Sequence, residues 1–333
     1  MTSLKVLFIG GTGIISAAAA KLAVERGIDL SILNRGQTSK RALPDGATSI
    51  QADIRDAAAT REALGDKEFD VVVDFVAFTA DHVQADIDLF SGRTGQYVFI
   101  SSASAYQTPP RKLPITESTP LINEFWAYSR AKIECEELLT AAHRDSGFPA
   151  TIVRPSHTYD RTGVPFTGGW TVVDRMRRGK EVVVHGDGTS LWVLTHTDDF
   201  ARAFVPLLGN SRAVGDAFQI TSDDVLTWDQ IHHIVARAAG TTARIVHMPS
   251  DVFAEVNPDW GPGLVGDKTH SVIFDNSKVK SLVPDYVATI PYEQGAREII
   301  EWHDADPVRR TVDPEADAYF DRLVEMRQQL AKG

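Results

Sequence analysis

Cysteine is nearly missing from this chain. Cys135 stands alone among 333 residues, so no internal disulfide can form and no zinc-finger spacing exists. The 10 histidines include no His-x-x-x-His or His-Glu-x-x-His pattern, and His232 and His233 are adjacent, so on a helix their rings point apart. No metal site is expected. Positive charge is also short: Lys plus Arg is 34 against 45 for Asp plus Glu, a net charge of −11. An acidic surface repels phosphate backbones, which makes nucleic acid an unlikely partner. Apolar runs stay well below the roughly 20 residues that span a bilayer. The one signal-like stretch, from Val6 to Ala20, is interrupted by Gly10, Gly11, Thr12 and Gly13. It reads as strand, turn and helix rather than as an export signal. These absences describe a soluble, cytoplasmic protein with no membrane partner.

What is present is an ordinary globular composition, with 43% hydrophobic and 24% charged residues, enough to bury a core. At roughly 150 residues per domain, the length suggests about two units. The first half alternates short apolar runs with helical periodicity, the signature of βαβ units. Leu4–Ile9, Leu30–Leu33, Thr48–Ala52, Val71–Val76, Tyr97–Ile100 and Thr151–Val153 read as strands. A helix with apolar positions at Ile15, Ala18, Ala19, Leu22 and Ala23 follows the first, and a long one runs through Ser129 to His143. The expected fold is α/β, a doubly wound parallel sheet with a smaller C-terminal α/β lobe. Residues 1–158 would form the dinucleotide-binding domain, with the chain returning to it at about 192–222. Residues 159–191 and 223–333 would form the substrate lobe.

Three segments carry chemistry. Gly10-Gly11-Thr12-Gly13-Ile14-Ile15-Ser16 joins the first strand to the first helix, where small residues let backbone N–H groups and the helix dipole approach a pyrophosphate. Ser16 stands where a third glycine would pack helix against strand. The second strand ends in Asn34-Arg35 rather than in a carboxylate, and Lys40 and Arg41 follow. Without an acidic residue to repel a 2′-phosphate, NADP is favoured, with NAD still possible. Asp53, after the third strand, is placed either to bond an adenine amino group or to cap the next helix. Tyr128 and Lys132 lie four apart on one helix face. An ammonium beside a phenol lowers its pKa and prepares it for proton transfer. Ser101-Ser102-Ala103-Ser104-Ala105-Tyr106 closes a parallel strand at its carboxyl end, where ligands of such sheets bind.

In this order the motifs resemble an extended, atypical short-chain dehydrogenase/reductase of the NAD-dependent epimerase/dehydratase family. Asp74 to Ala77, Arg154-Pro155 and Gly186-Asp187-Gly188 followed by His196-Thr197-Asp198-Asp199 fall in the family's order as well. The resemblance implies a Rossmann-type sheet and nicotinamide-dependent chemistry. It implies Ser102, Tyr128 and Lys132 as catalytic residues, Ser102 being preferred because it lies four before Tyr106. It implies a cofactor site built from Gly10, Gly11, Thr12, Gly13, Ile14, Ile15, Asn34, Arg35, Asp53, Ile54, Val76, Ala77, Phe78, Lys132 and Pro155. Ser104, Trp126, His157 and Trp192 are the implied substrate contacts. A homodimer formed through the helix that bears the Tyr-Lys pair is implied too.

Two departures qualify the resemblance. Family members acting on nucleotide sugars place an arginine shortly before the His196 region, and this chain has Ser190-Leu191-Trp192-Val193 there. The Asn34-Arg35-Gly36 turn, Phe218–Trp228 and Gly266–Val272 are similar to a branch that contains chloroplast stem-loop RNA-binding proteins. The leading expectation is an oxidoreductase, epimerase or dehydratase acting on a carbinol or carbonyl of a sugar-like or nucleotide-sugar-like small molecule. An RNA-binding or nucleolytic protein on the same scaffold, and an NADP-sensing regulator without turnover, are the alternatives.

Overall fold

The computed structural model describes residues 3–37 and 41–330. Lys40, one of the basic residues considered for a 2′-phosphate, lies outside the described residues. A parallel sheet of seven strands forms the larger body. Its strands are β1 (Lys5–Ile9), β2 (Asp29–Asn34), β3 (Thr48–Gln51), β4 (Phe69–Asp74), β5 (Thr94–Ile100), β6 (Ala150–Pro155) and, further along the chain, Ala217–Ile220, in the order Ala217–Ile220, β6, β5, β4, β1, β2, β3. The order reverses at β1, as in a doubly wound sheet. The apolar runs form central strands because both faces are covered. Val6 and Phe8 point into one core with Ala19, Ala20 and Ala23 of α1 (Ile14–Glu25). Leu7 and Ile9, alternating with them, point into the opposite core with Leu64, Val83 and Leu139.

Strand β4 stops two residues earlier than its apolar run suggests. The Asp74 carboxylate, fully buried, accepts the backbone N–H groups of Val76 and Ala77 and turns the chain out of the sheet. The helix carrying the Tyr-Lys pair, Ala127–Ser146, ends on Gly147 at φ +71°, the left-handed conformation that glycine adopts without strain.

Past β6 the chain builds the second body. β7 (His157–Tyr159), β8 (Glu181–His185) and β9 (Leu191–His196) precede Ala217–Ile220, here β10, and β11 (Val225–Thr227) and β12 (Arg244–Met248) follow it. β9 pairs with β7 and β11 in a three-stranded sheet, and β12 pairs with β8. Of the stretch 192–222, β10 rejoins the large sheet beside β6, whereas β9 belongs to the small one. Helix Thr197–Phe204 packs beneath the large sheet, its Phe200 and Phe204 sharing a core with Phe8. The lobe has its own core of Trp170, Met176, Trp192, Trp228, Ile231, Tyr292, Tyr319 and Phe320. Among the described residues no helix is long and apolar enough to cross a membrane.

Candidate functional site

The carboxyl ends of β1, β4, β5 and β6 converge on one edge of the sheet. The glycine turn leaves β1 through Gly10 at φ +85°, where a Cβ would come within 2.4 Å of Val76 Cγ1. Only glycine lets this turn lie so close to the loop after β4. Ser16, in the third glycine's place, is fully buried, and its Oγ accepts the Gly13 N–H at 2.8 Å. It therefore serves as a helix cap as well as a packing residue. The first N–H groups of α1 face outward from the turn with no partners inside the helix. Ile14 and Phe78, 41% and 45% exposed, flank the same edge as uncovered apolar faces. Open amides at a helix start, with apolar faces beside them, fit a dinucleotide. Ile15 is half-buried behind Ile14, and Pro155 is buried at the end of β6.

At the adenosine end, the Asn34 side chain accepts the Gly36 N–H at 2.9 Å and so shapes the turn that presents Arg35. Arg35 is exposed and makes no ion pair among the described residues. Arg41 does not join it. Its Nε donates to Asp160 Oδ2 at 2.8 Å, and its guanidinium also reaches the Thr162 hydroxyl, so this cation is spent on a half-buried tie to the lobe. Asp53 is exposed and accepts the Arg55 N–H at 3.0 Å, while the cap of the following helix is Asp56, which accepts the N–H groups of Ala58 and Ala59. The capping alternative for Asp53 is therefore corrected: Asp56 sits one residue ahead of the helix and Asp53 does not. Ile54 is buried beside it.

At the chemical end, Lys132 is 2% exposed, and its Nζ donates to the carbonyls of Ala77 and Ile100 at 2.7 and 2.8 Å. Its ammonium lies 4.6 Å from the Phe99 ring centre, 4.9 Å from Phe78 and 5.8 Å from Tyr128. Burial pulls its pKa down to about 8. The Tyr128 phenol is raised above its ordinary value, chiefly by burial, while the facing Ser102 hydroxyl pulls the other way. The expected lowering of the phenol pKa is thus outweighed here, since desolvation acts on a phenol whose neighbouring ammonium bonds two carbonyls instead.

Ser102 is aimed by its neighbours. The Ser129 hydroxyl donates to Ser104 Oγ at 2.8 Å, and the Ser104 and Ser102 hydroxyls share a hydrogen bond of 2.9 Å. The Ser104 N–H also donates to Ser102 Oγ at 3.2 Å. Either hydroxyl of the Ser102–Ser104 pair can be the donor, and when Ser104 donates, the Ser102 proton is left for the phenol side. Ser104, expected as a substrate contact, is 6% exposed at the pocket wall and also bonds the Ser102 hydroxyl.

A cavity of about 250 Å³ opens beyond this pair. Ser102, Ser104, Trp126, Tyr128, Pro155, His157 and Trp192 all line it, so two of the expected catalytic residues meet the expected substrate residues there, while Lys132 is buried behind Tyr128. The Trp126 ring lies 4.7 Å from Tyr128, and Trp192 Nε1 donates to His157 Nδ1 at 3.2 Å. Asp267 and Lys268, within the Gly266–Val272 stretch, also line the cavity, and nothing in their sequence surroundings marks them as site residues. They end the short π-helical segment Leu264–Lys268, which has no periodic pattern to flag them. His196 caps helix Thr197–Phe204 by accepting the Asp198 N–H at 3.1 Å. His232 is buried and His233 exposed, their rings on opposite faces.

Fold and site together define a dinucleotide-binding α/β protein whose sheet edge carries a serine and a tyrosine on the wall of a cavity, with a buried lysine behind them. The chain belongs to the NAD dependent epimerase/dehydratase family, whose model matches residues 6–91 and 89–221. The chloroplast stem-loop binding protein of 41 kDa b from Arabidopsis thaliana is 26% identical over 256 residues, covering 73% of this chain and 65% of that protein. A UDP-glucose 4-epimerase from Lactobacillus helveticus is 31% identical over 168 residues, covering 45% of this chain and 51% of that enzyme. The chain therefore spans about half to two thirds of these relatives' lengths. Among solved structures, dTDP-glucose 4,6-dehydratase from Bacillus anthracis in complex with NAD superposes with a TM-score of 0.74 at 17% identity, covering 92% of this chain and 98% of that one. At that identity the likeness shows the fold.

Proposed function

We propose that the protein is an NAD(P)-dependent enzyme of the short-chain dehydrogenase/reductase type, acting at a carbinol or carbonyl carbon of a sugar-like substrate. The observation that carries this reading is that Ser102 and Tyr128 share one cavity wall, with the buried Lys132 ammonium 5.8 Å behind the Tyr128 ring. The nicotinamide, when bound, supplies hydride exchange. Ser102 holds the substrate oxygen by donating its hydroxyl proton, and Tyr128 Oη gives or takes the proton of that oxygen. Lys132, anchored by two carbonyls, keeps a positive charge behind the phenol and offers its remaining proton to a ribose. Glycines 10, 11 and 13, with Thr12, Ile14 and Ile15, hold the pyrophosphate. Val76, Ala77, Phe78 and Pro155 enclose the nicotinamide side, and Asp53 and Ile54 meet the adenine.

NADP is the preferred cofactor in this reading, through Arg35 and the absence of a carboxylate at Asn34, and NAD is the alternative that the family name favours. Stem-loop binding is said of the Arabidopsis relative by its name. A net charge of −11 weighs against the same role here. Titration with each dinucleotide, followed by hydride transfer to or from free sugars, sugar lactones and nucleotide sugars, tests the reading. Absence of dinucleotide binding would refute it.

A further inference from the structure

The cavity contains two full charges among its described lining residues, and they neutralise each other. Lys268 Nζ bonds Asp267 Oδ2 at 2.8 Å, both side chains being 19% exposed. The same ammonium lies 5.8 Å from the ring centres of both Trp126 and Trp192, held between two indoles. A diphosphate entering here would be desolvated against a wall with no uncompensated positive charge, and burying such a charge unpaired is costly.

The remaining wall suits a neutral ring. His157 accepts the Trp192 indole N–H through Nδ1, which fixes the neutral tautomer with its proton on Nε2. Burial and the Lys268 charge push its pKa down to about 3, so the imidazole stays uncharged at neutral pH. A lining residue is thereby made a fixed uncharged donor, beside hydroxyls and flat indole faces. Sugar hydroxyls accept from such donors, and sugar C–H faces pack on indoles.

We propose that the site takes an uncharged sugar ring or sugar lactone that carries no nucleoside diphosphate, with His157 Nε2–H as a specificity-determining donor to one ring oxygen or hydroxyl. This rests on the function proposed above and narrows its substrate class.

The test uses the protein saturated with its dinucleotide. D-glucose, D-galactose, their 1,5-lactones, UDP and UDP-glucose are the probes, with binding read by calorimetry and hydride transfer by nicotinamide absorbance. At least one neutral probe should bind saturably and react, and UDP should neither bind nor displace it. His157→Ala should weaken the neutral probe about tenfold, the worth of one buried hydrogen bond, without altering dinucleotide affinity. His157→Gln, which retains an N–H donor, should recover part of the loss and guards against a folding defect in the alanine variant. UDP competing with the neutral probe, UDP-glucose reacting where the free sugars do not, or no response to any neutral probe would each overturn the inference. Hydride transfer confined to UDP-glucose would do so while leaving the enzyme assignment intact. Failure to bind either dinucleotide would defeat the assignment itself.

Discussion

Asp86 and Asp74 face each other in the interior behind the loop that leaves β4, exposed by 1% and 0%. Burial and the Asp74 charge push the Asp86 carboxyl well above the ordinary carboxylate range. The Tyr97 hydroxyl donates to Asp86 Oδ2 at 2.7 Å, which pulls the other way. Asp74 in turn holds the Val76 and Ala77 amides and meets Arg55 at 3.3 Å, and Ala77 offers its carbonyl to Lys132. A connected set of hydrogen bonds thus runs from the middle of the sheet to the lysine of the site.

The Asp86 proton has a consequence for pH dependence. The folded state binds it over a range where the unfolded chain, with an ordinary aspartate, does not. Its contribution to stability is therefore present at low pH and lost as pH rises through the raised folded value. Asp86→Asn mimics the protonated form and should remove that loss. Urea unfolding of both proteins as pH is raised from about 4, the ordinary aspartate value, is the measurement, and parallel curves would show that the Asp86 carboxyl titrates as it does in the unfolded chain.

Tyr128→Phe removes one transferable proton and little volume. Turnover should fall about a hundredfold or more, the usual contribution of general acid–base catalysis, while dinucleotide affinity changes little. Lys132→Ala should lower both turnover and affinity, because its Nζ also bonds the carbonyls of Ala77 and Ile100 at the cofactor edge. Unchanged affinity in the lysine variant would limit its role to the phenol.

How much of this was legible in the sequence depends on distance along the chain. The strand–turn–helix at Leu4 to Glu25 and the Tyr128–Lys132 pair are local patterns, set by period and by a four-residue spacing, and the fold honours them. Arg41 read as a cofactor cation because its sequence neighbours are basic, but its partner Asp160 is 119 residues away. Trp192 and His157 were each placed near the cleft, yet their mutual hydrogen bond depends on β7 pairing with β9. Asp86 carries no local signal at all, since its partners come from β4 and β5. Contacts across elements are fixed by packing, and one sequence does not state them.

Arg41→Ala and Arg35→Ala should separate two roles that look alike in sequence. Arg35→Ala should weaken NADP by on the order of ten- to a hundredfold, the worth of a charge-assisted phosphate contact, and NAD far less. Asn34→Asp should shift preference toward NAD by repelling the 2′-phosphate. Arg41→Ala should leave the NADP:NAD ratio unchanged, because its guanidinium is tied to Asp160 and Thr162. Calorimetric titration of each variant with each dinucleotide reads these effects. Equal weakening of both cofactors in Arg35→Ala would mean that Arg35 serves the adenine alone, and wild type binding NAD at least as tightly as NADP would sink the preference.

Three histidines should make the protein labile in mild acid. Burial drives His157 down to about 3 and both His185 and His232 down to about 4. His185 and His232 each use one ring N–H on a backbone carbonyl, of Lys268 at 3.0 Å and of Trp228 at 2.8 Å. In the unfolded chain all three take up protons near pH 6.5. As pH falls from there toward about 4, the unfolded state binds protons that the folded state refuses, so stability declines. Each histidine contributes up to about 1.4 kcal/mol per pH unit. The raised Asp86 carboxyl opposes this trend by at most one proton, so the net slope keeps the histidines' sign. Urea midpoints measured between neutral pH and pH 5 should fall steadily, and His232→Gln should flatten the decline by its share. The stack of His232 on Phe166, with ring centres 4.5 Å apart, should cost that variant some stability at neutral pH. The slope rather than the absolute midpoint is therefore the diagnostic quantity. A midpoint independent of pH across that interval would show that these imidazoles titrate in the folded protein as they do in water.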